Sequence, residues 1–439
     1  MFTLLVNLVR IAVIGLGLFG SVGSASAQSL TDVVRLALGS YPALAMVQAR
    51  ADAARAEIAR ARSAHHPQLS IGGGLNAFSS GNLPPALGRS SFLPSARLNL
   101  WSGGRIEAEA ERAEALTLAG EAQQRLTQDE VALQSSEAYL GWLKGHDLLA
   151  LAQRNLQAHL DTLHDIRTIA QVDTGRRIDL AQAQVRVDNA RLAMHSRQAE
   201  LAVAEHRLQR YWPASTLPAQ PPRLDLADTP LARLPVSLPE VLAHVNDALP
   251  SLAQLQAQVR AAEAAVRQAQ GLYWPSVDLA AARQFNTSTL RFETLTQLQL
   301  NMALYNGQAT RAQVDAAQAQ LRAAQAALQE GRLLQQEKLG QAWQEWTSAS
   351  ARAETGAAQS QVGERVVEGY RQQFRLARRS LLDLLNIQAD SFQYRNAAQT
   401  ALHDERIARA RLLAAMGDLA RRFALPGDPT LASPPQAPW

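Results

Sequence analysis

Ser29-Leu30-Thr31-Asp32-Val33 returns 208 residues later as Ser237-Leu238-Pro239-Glu240-Val241. At the same offset Pro42-Ala43-Leu44 matches Pro250-Ser251-Leu252, and Pro67 matches Pro275. Further on the offset becomes 204. Trp101-Ser102-Gly103 then pairs with Tyr305-Asn306-Gly307, Trp142 with Trp346, and Asp179-Leu180 with Asp383-Leu384. Rare residue types falling in register mark an internal duplication. Residues 28–211 form one repeat and 237–424 the other. Between them, 212–236 carries six prolines from Pro213 to Pro235 and reads as an extended linker.

Proline placement gives the contents of each repeat. None of the 19 prolines lies between Pro94 and Pro213 or between Pro275 and Pro426, leaving proline-free runs of 118 and 150 residues. Such runs, rich in Ala, Leu, Gln, Arg and Glu, predict very long helices. One is expected from Arg105 to Val172, which at ~1.5 Å per residue is ~100 Å long. After a turn near 173–177 a second returns over 178–210. The second repeat predicts the same hairpin, Gln308 to about Leu376 outward and Ser380 to Phe423 back. Leu156, Leu160, Leu163 and Ile166 fall at the spacing of antiparallel coiled-coil packing.

Ahead of each hairpin the order is also shared. A helix of period near 3.6 (Val33, Leu36, Ala37, Leu44, Val47) is expected to run on to His66, where Pro67 ends it. Two segments of alternating polarity follow, about 67–78 and 92–101, and again about 275–285 and 294–304. The last is the clearest, setting Leu298, Leu300, Met302 and Leu304 against Gln297, Gln299 and Asn301. In the second, Ala96, Leu98 and Leu100 oppose Arg97, Asn99 and Trp101. Each is about the ~9–11 residues of a tilted membrane strand. Soluble hairpins packed on the helices would alternate in the same way. If the strands do span a membrane, four cannot close a barrel, since the smallest need about eight. Open edges cannot face lipid. Several subunits would have to share one barrel, and three chains would supply twelve strands. The fold class is therefore mainly α with a small β part.

Residues 1–27 carry Arg10, an apolar stretch Ile11–Gly20, and Ala25-Ser26-Ala27 before Gln28, the pattern of a cleaved secretory signal. The tail 425–439, with five prolines, is expected to be disordered. There is no cysteine, which excludes a disulfide scaffold, a thiolate metal site and a lipid-bearing N-terminal cysteine. Charge is balanced at 43 basic against 39 acidic residues, with no basic block longer than two, so no nucleic-acid partner is indicated. Mixed charge along long helices reads instead as a solvated, ion-paired surface. His65-His66, beside Pro67 and matched by Tyr273-Trp274, reads as an interfacial aromatic position rather than a metal site. No nucleotide-binding or hydrolase motif follows a strand. Neither catalytic nor metal residues nor a cofactor are expected, and the chain does not read as an enzyme.

Taken together, the signal and the duplicated helix, hairpin and long helical hairpin resemble the TolC-like outer-membrane factor family over essentially all of 29–423. The motifs that carry the resemblance are Leu-Ala-Leu before Tyr41-Pro42, the aromatic-x-Gly corners at 101–103 and 305–307, and two turns. Those turns are Gly175-Arg176-Arg177-Ile178-Asp179-Leu180 and Arg379-Ser380-Leu381-Leu382-Asp383-Leu384-Leu385-Asn386. The resemblance implies a homotrimer with a twelve-stranded barrel in outer-membrane lipid and a periplasmic α-helical tunnel. It also implies a periplasmic adaptor and an inner-membrane ABC transporter or proton-driven pump as partners.

By similarity Arg176, Arg177, Asp179, Phe374, Arg379, Asp383 and Asn386 lie at the periplasmic tip. Pro67, Trp101, Gly103, Pro275, Tyr305 and Gly307 lie where barrel meets helix. Arg379 and Asp383 match positions that hold the closed gate, although Ser380 and Asp383 also spell a helix capping box. Asn386 stands where some members carry a cation-selecting aspartate, and Asp173 and Ala377 stand where glycine is common. The two turns, with Tyr370-Arg371-Gln372-Gln373-Phe374, look most like the branch serving type I secretion of adhesins and toxins. Drug or metal efflux is the alternative, and a soluble periplasmic coiled-coil scaffold is the alternative of a different class.

Overall fold

A computed structural model describes residues 29–75, 90–173, 176–212, 218, 221–222, 224–286, 291–376 and 378–424. The expected signal (1–27), tail (425–439), Gly175 and Ala377 lie outside the described residues. In chain order the elements are α1 (Leu30–Ser40), α2 (Pro42–Ser63), β1 (Gln68–Leu75), β2 (Ser90–Trp101), α3 (Arg105–Val172) and α4 (Arg177–Gln209). The second repeat follows with α5 (Leu238–Leu242), α6 (Pro250–Gln270), β3 (Ser276–Asn286), β4 (Arg291–Asn301), α7 (Ala309–Arg375), α8 (Leu381–Ala415) and α9 (Leu419–Phe423). Both proline-free runs fold as predicted into a helix of 68 or 67 residues and a shorter return helix. Strand β4 stops at Asn301, short of the expected 304.

Two helix boundaries correct the sequence reading. The first helix does not run unbroken to His66. Tyr41 is extended (φ −72°, ψ 128°), and Pro42 opens α2 at its first position. There the missing N–H costs nothing and the fixed φ suits a helix start. Leu249 and Pro250 repeat the device ahead of α6. At the other end, the return helix expected to reach Phe423 stops at Ala415. Gly417 takes φ +67°, and the N–H groups of Gly417 and Asp418 donate to the carbonyls of Ala414 and Leu413. This is a glycine-dependent C-terminal cap.

All four strands join one antiparallel sheet in the order β1-β2-β3-β4. The central pair, β2 with β3, links the two repeats: Leu98 lies opposite Leu279 and Asn99 opposite Asp278. A bulge between Asn99 and Trp101 then brings Trp101 opposite Val277. The strict alternation that placed Trp101 in the polar row therefore fails at that point. Among the described residues β1 and β4 each have one edge without a strand partner.

The chain divides into two compact units. One contains the sheet, α2, α6 and the adjoining lengths of the long helices (Leu38–Gln134, Arg233–Glu354 and from Asp404 on). Its packing is built from small side chains. Ala61, Ala110 and Ala113 meet beside Ile58, and Val266, Ala269, Val314 and Ala317 meet beside Leu321. Such contacts allow helix axes to approach at the short end of the usual 8–10 Å. Ion pairs tie α2 and α6 to α3: Arg55 to Glu121 at 2.8 Å, Arg60 to Glu109 at 2.9 Å, Arg62 to Glu114 and Arg267 to Glu111. Being exposed, each is worth at most about 1 kcal/mol, so they set register more than stability.

The other unit comprises the stretch ending at Ala37 with Ser135–Ala232 and Thr355–His403. Leu163, Ala183 and Val187 are packed with Leu156, Leu160 and Leu180, which seals α3 against α4 at the predicted spacing. Next to them Ile166 meets Leu381 and Leu385 of α8, flanked by Ile169, Leu180 and Phe374. Polar residues buried in this unit find partners: Gln388 donates to Thr162 at 3.2 Å, and His403 lies 2.7 Å from Asp147.

Candidate functional site

The sheet has two unlike faces. On one, Leu69 is 82% exposed, Leu298 66% and Leu300 67%, accompanied by Ile71, Leu100 and Leu279. A row of aliphatic side chains left open to this extent has no counterpart elsewhere in the unit, and it needs an apolar partner. Ser70, Ser95, Arg97, Asn99, Asp278, Gln297 and Gln299 alternate with these residues onto the other face. There Ser70 and Ser95 share a hydrogen bond of 2.7 Å. Asp278, only 2% exposed, accepts from Arg97 Nη2 at 2.6 Å and from Asn99 Nδ2 at 2.9 Å. Sequence reading saw Asp278 only as one alternating polar residue, because its partners are about 180 positions away. Among the described residues no single helix is long and apolar enough to cross a membrane. That has no bearing on the strands.

The predicted corner residues come together where sheet meets helices. Pro67 and Pro275 stand immediately before β1 and β3. Gly103 (φ +68°) and Gly104 (φ +81°) turn the chain from β2 into α3. A Cβ on Gly103 would lie 2.6 Å from Trp274 Cβ and 2.9 Å from the Gly271 carbonyl, so glycine is required for space as well as for φ. Trp101 meets Trp274 edge to face, ring centres 6.4 Å apart. In the second repeat Gly307 (φ +66°) and Gln308 (φ +68°) make the same turn. Tyr305 there is exposed. Ser102 caps the new helix by accepting the Ile106 N–H at 3.3 Å, and His65 lies 3.2 Å from Glu107.

The turn residues fall in the other unit. Arg176 precedes α4, 3.6 Å from Asp173 and 3.9 Å from Asp179, while Arg177 is exposed. Phe374 packs beside Ile166, Leu381 and Leu385. The capping box predicted for α8 forms: Ser380 Oγ donates to Asp383 Oδ2 at 2.8 Å, and the Asp383 N–H donates back to Ser380 Oγ at 3.1 Å. Arg379 lies over the Tyr370 ring at 4.6 Å and donates from Nε to Gln373 at 3.0 Å. Asn386 accepts from Arg186 at 3.1 Å.

One contact was invisible in the sequence. Asp129 of α3, almost fully buried, accepts the Ala420 N–H at 2.8 Å and so holds α9. Burial drives its carboxyl up from the ordinary 3.8 to about 6, against the opposing effect of that hydrogen bond.

A sequence model of outer membrane efflux proteins matches residues 33–213 and 244–418, most of the chain. The chain belongs to the outer membrane efflux protein family. Among its relatives, outer membrane efflux protein BepC of Brucella suis biovar 1 is 24% identical over 369 residues, covering 82% of this chain and 79% of BepC. Toluene efflux pump outer membrane protein TtgF of Pseudomonas putida is 30% identical over 166 residues, 38% of this chain and 34% of TtgF. Crystal structures of CusC share the fold with a TM-score of 0.76 at 18% identity, over 91% of this chain and 95% of that one. The open state of the MtrE outer membrane channel of Neisseria gonorrhoeae gives 0.72 at 18% identity, over 90% of each. The family and its fold are those of TolC-like channel proteins rather than enzymes. They belong to the Gram-negative outer membrane, with a long helical part in the periplasm.

Proposed function

We propose that this chain is the homotrimeric outer-membrane duct of a tripartite export system, taking cargo from a periplasmic adaptor and an inner-membrane pump. The observation that carries this reading is the sheet: one apolar face without cover, one polar face, and two open edges. Lipid against the first face and neighbouring copies on the edges satisfy every exposed group at once. With no energy source of its own, the duct is passive and the inner-membrane pump drives transport. Arg176, Arg177, Asp179, Phe374, Arg379, Asp383 and Asn386 form its periplasmic entrance, where Arg379 and Asp383 contribute the polar links that keep it shut.

Type I protein secretion is the preferred cargo route, supported by the two turns and by Tyr370–Phe374. Efflux of small molecules is the second reading, favoured by relatives named as toluene and antibiotic efflux components. Deleting the gene separates them. Loss of a large secreted repeat protein from the medium, with solvent and antibiotic tolerance unchanged, supports secretion, and the reverse supports efflux.

The gate is tested in lipid bilayers. Arg379→Ala and Asp383→Ala should both raise single-channel conductance. Ser380→Ala, which removes the cap at a cost of about 1 kcal/mol but leaves both charges, should not. Equal conductance in all three variants and the wild type rules the gate out.

A further inference from the structure

Where the polar face of the sheet meets the starts of α3 and α7, the unit encloses a concavity of about 750 Å³. Its charged lining is Arg97, Arg105, Arg112, Glu109 and Asp278, set among alanines and glutamines. Both carboxylates are already engaged. Asp278 is buried beneath Arg97 and Asn99, and Glu109 accepts from Arg60 at 2.9 Å. Arg97, by contrast, is 60% exposed although it is bonded to Asp278, so much of its guanidinium still faces the concavity. Arg105 is steadied by donating Nε to the Ser102 carbonyl at 2.9 Å. The charge presented to an entering solute is therefore positive, in the form of planar, permanently charged forks suited to carboxylate and phosphate.

We propose that Arg97, Arg105 and Arg112 form an anion-recognising collar where barrel meets tunnel, selecting for acidic groups on the cargo. The inference rests on the duct reading, since only a shared barrel turns the polar face inward. Three copies then set nine guanidinium groups around one lumen. Rings of arginine are a recognised means of anion selection in pores. The buried Asp278 acts as the fixed anchor that aims Arg97 inward, and Asn99 completes the anchor.

The test uses the full-length protein in planar bilayers under a KCl gradient, with inorganic tripolyphosphate as a blocking probe on the barrel side. The wild type should favour chloride over potassium and be blocked by tripolyphosphate. Arg105→Gln with Arg112→Gln should lower the chloride-to-potassium permeability ratio by about threefold or more and weaken the block by a similar factor. Should the double variant fail to assemble, Arg112→Gln alone should shift both readings in the same direction. Arg97→Lys, which keeps the charge over Asp278, should leave the permeability ratio near wild type. A conducting wild type that prefers potassium, or variants with unchanged ratio and block, would overturn the collar and leave the duct standing. A wild type that never conducts would overturn both.

Discussion

Asp129 and Gln308 are residues whose environments contradict their ordinary preferences, and each predicts a measurable consequence. Burial raises the Asp129 carboxyl to about 6, so the folded state holds its proton more tightly than the unfolded chain does. The linkage sign follows: Asp129 contributes most stability below the ordinary 3.8 and loses that contribution as pH rises through about 6. The difference amounts to about 3 kcal/mol at most. Amide exchange of α9, corrected for its intrinsic rate, should therefore speed up between pH 5 and pH 7. Asp129→Asn should flatten that dependence, and an unchanged slope in the variant would dismiss the contact as its source. Gln308 occupies φ +68° where the first repeat has Gly104. The side chain costs about 1 kcal/mol in that region, so Gln308→Gly should raise thermal stability by a similar amount. A fall in melting temperature would show that Gln308 makes a contact worth more than its strain.

Among the elements, those governed by local chemistry were legible and those governed by distant pairing were not. Proline-free, alanine-rich runs announced α3, α4, α7 and α8 because helix propensity sums over many residues. Alternation announced the strands for the same local reason. The breaks at Tyr41 and Gly417 were missed. Period alone does not register a proline at a helix's first turn or a glycine that ends one, although both residues were in view. The β2–β3 pairing, the bulge at Trp101 and the Arg97–Asn99–Asp278 cluster join residues from different repeats, and no local signal encodes them. At the tip the capping box was legible, while the stacking of Arg379 on Tyr370 was not. The apolar row of the sheet carries the sharpest prediction at this scale. Leu298→Arg and Leu300→Arg should each cost about 2–4 kcal/mol if the row faces the bilayer midplane, and should reduce the amount of assembled protein in the outer membrane. Gln297→Arg and Gln299→Arg, on the opposite face, should be tolerated. Equal effects on both faces would remove lipid as the partner of the row.

At the scale of the whole molecule, duplication solves a problem of closure. One repeat supplies two strands and one helical hairpin, and the chain supplies four strands with unsatisfied edges. Eight strands are the practical minimum for a membrane barrel, and three copies give twelve. The absence of cysteine and the low aromatic content, 5% of residues, agree with a thin-walled assembly that has no deep core and no disulfide framework. The central claim is that copies of this chain close one barrel in the outer membrane. Native mass spectrometry of the protein extracted by detergent from purified outer membranes tests it most directly. A particle of three chains is the predicted result. A single chain, released into the soluble periplasmic fraction without detergent, would contradict the account.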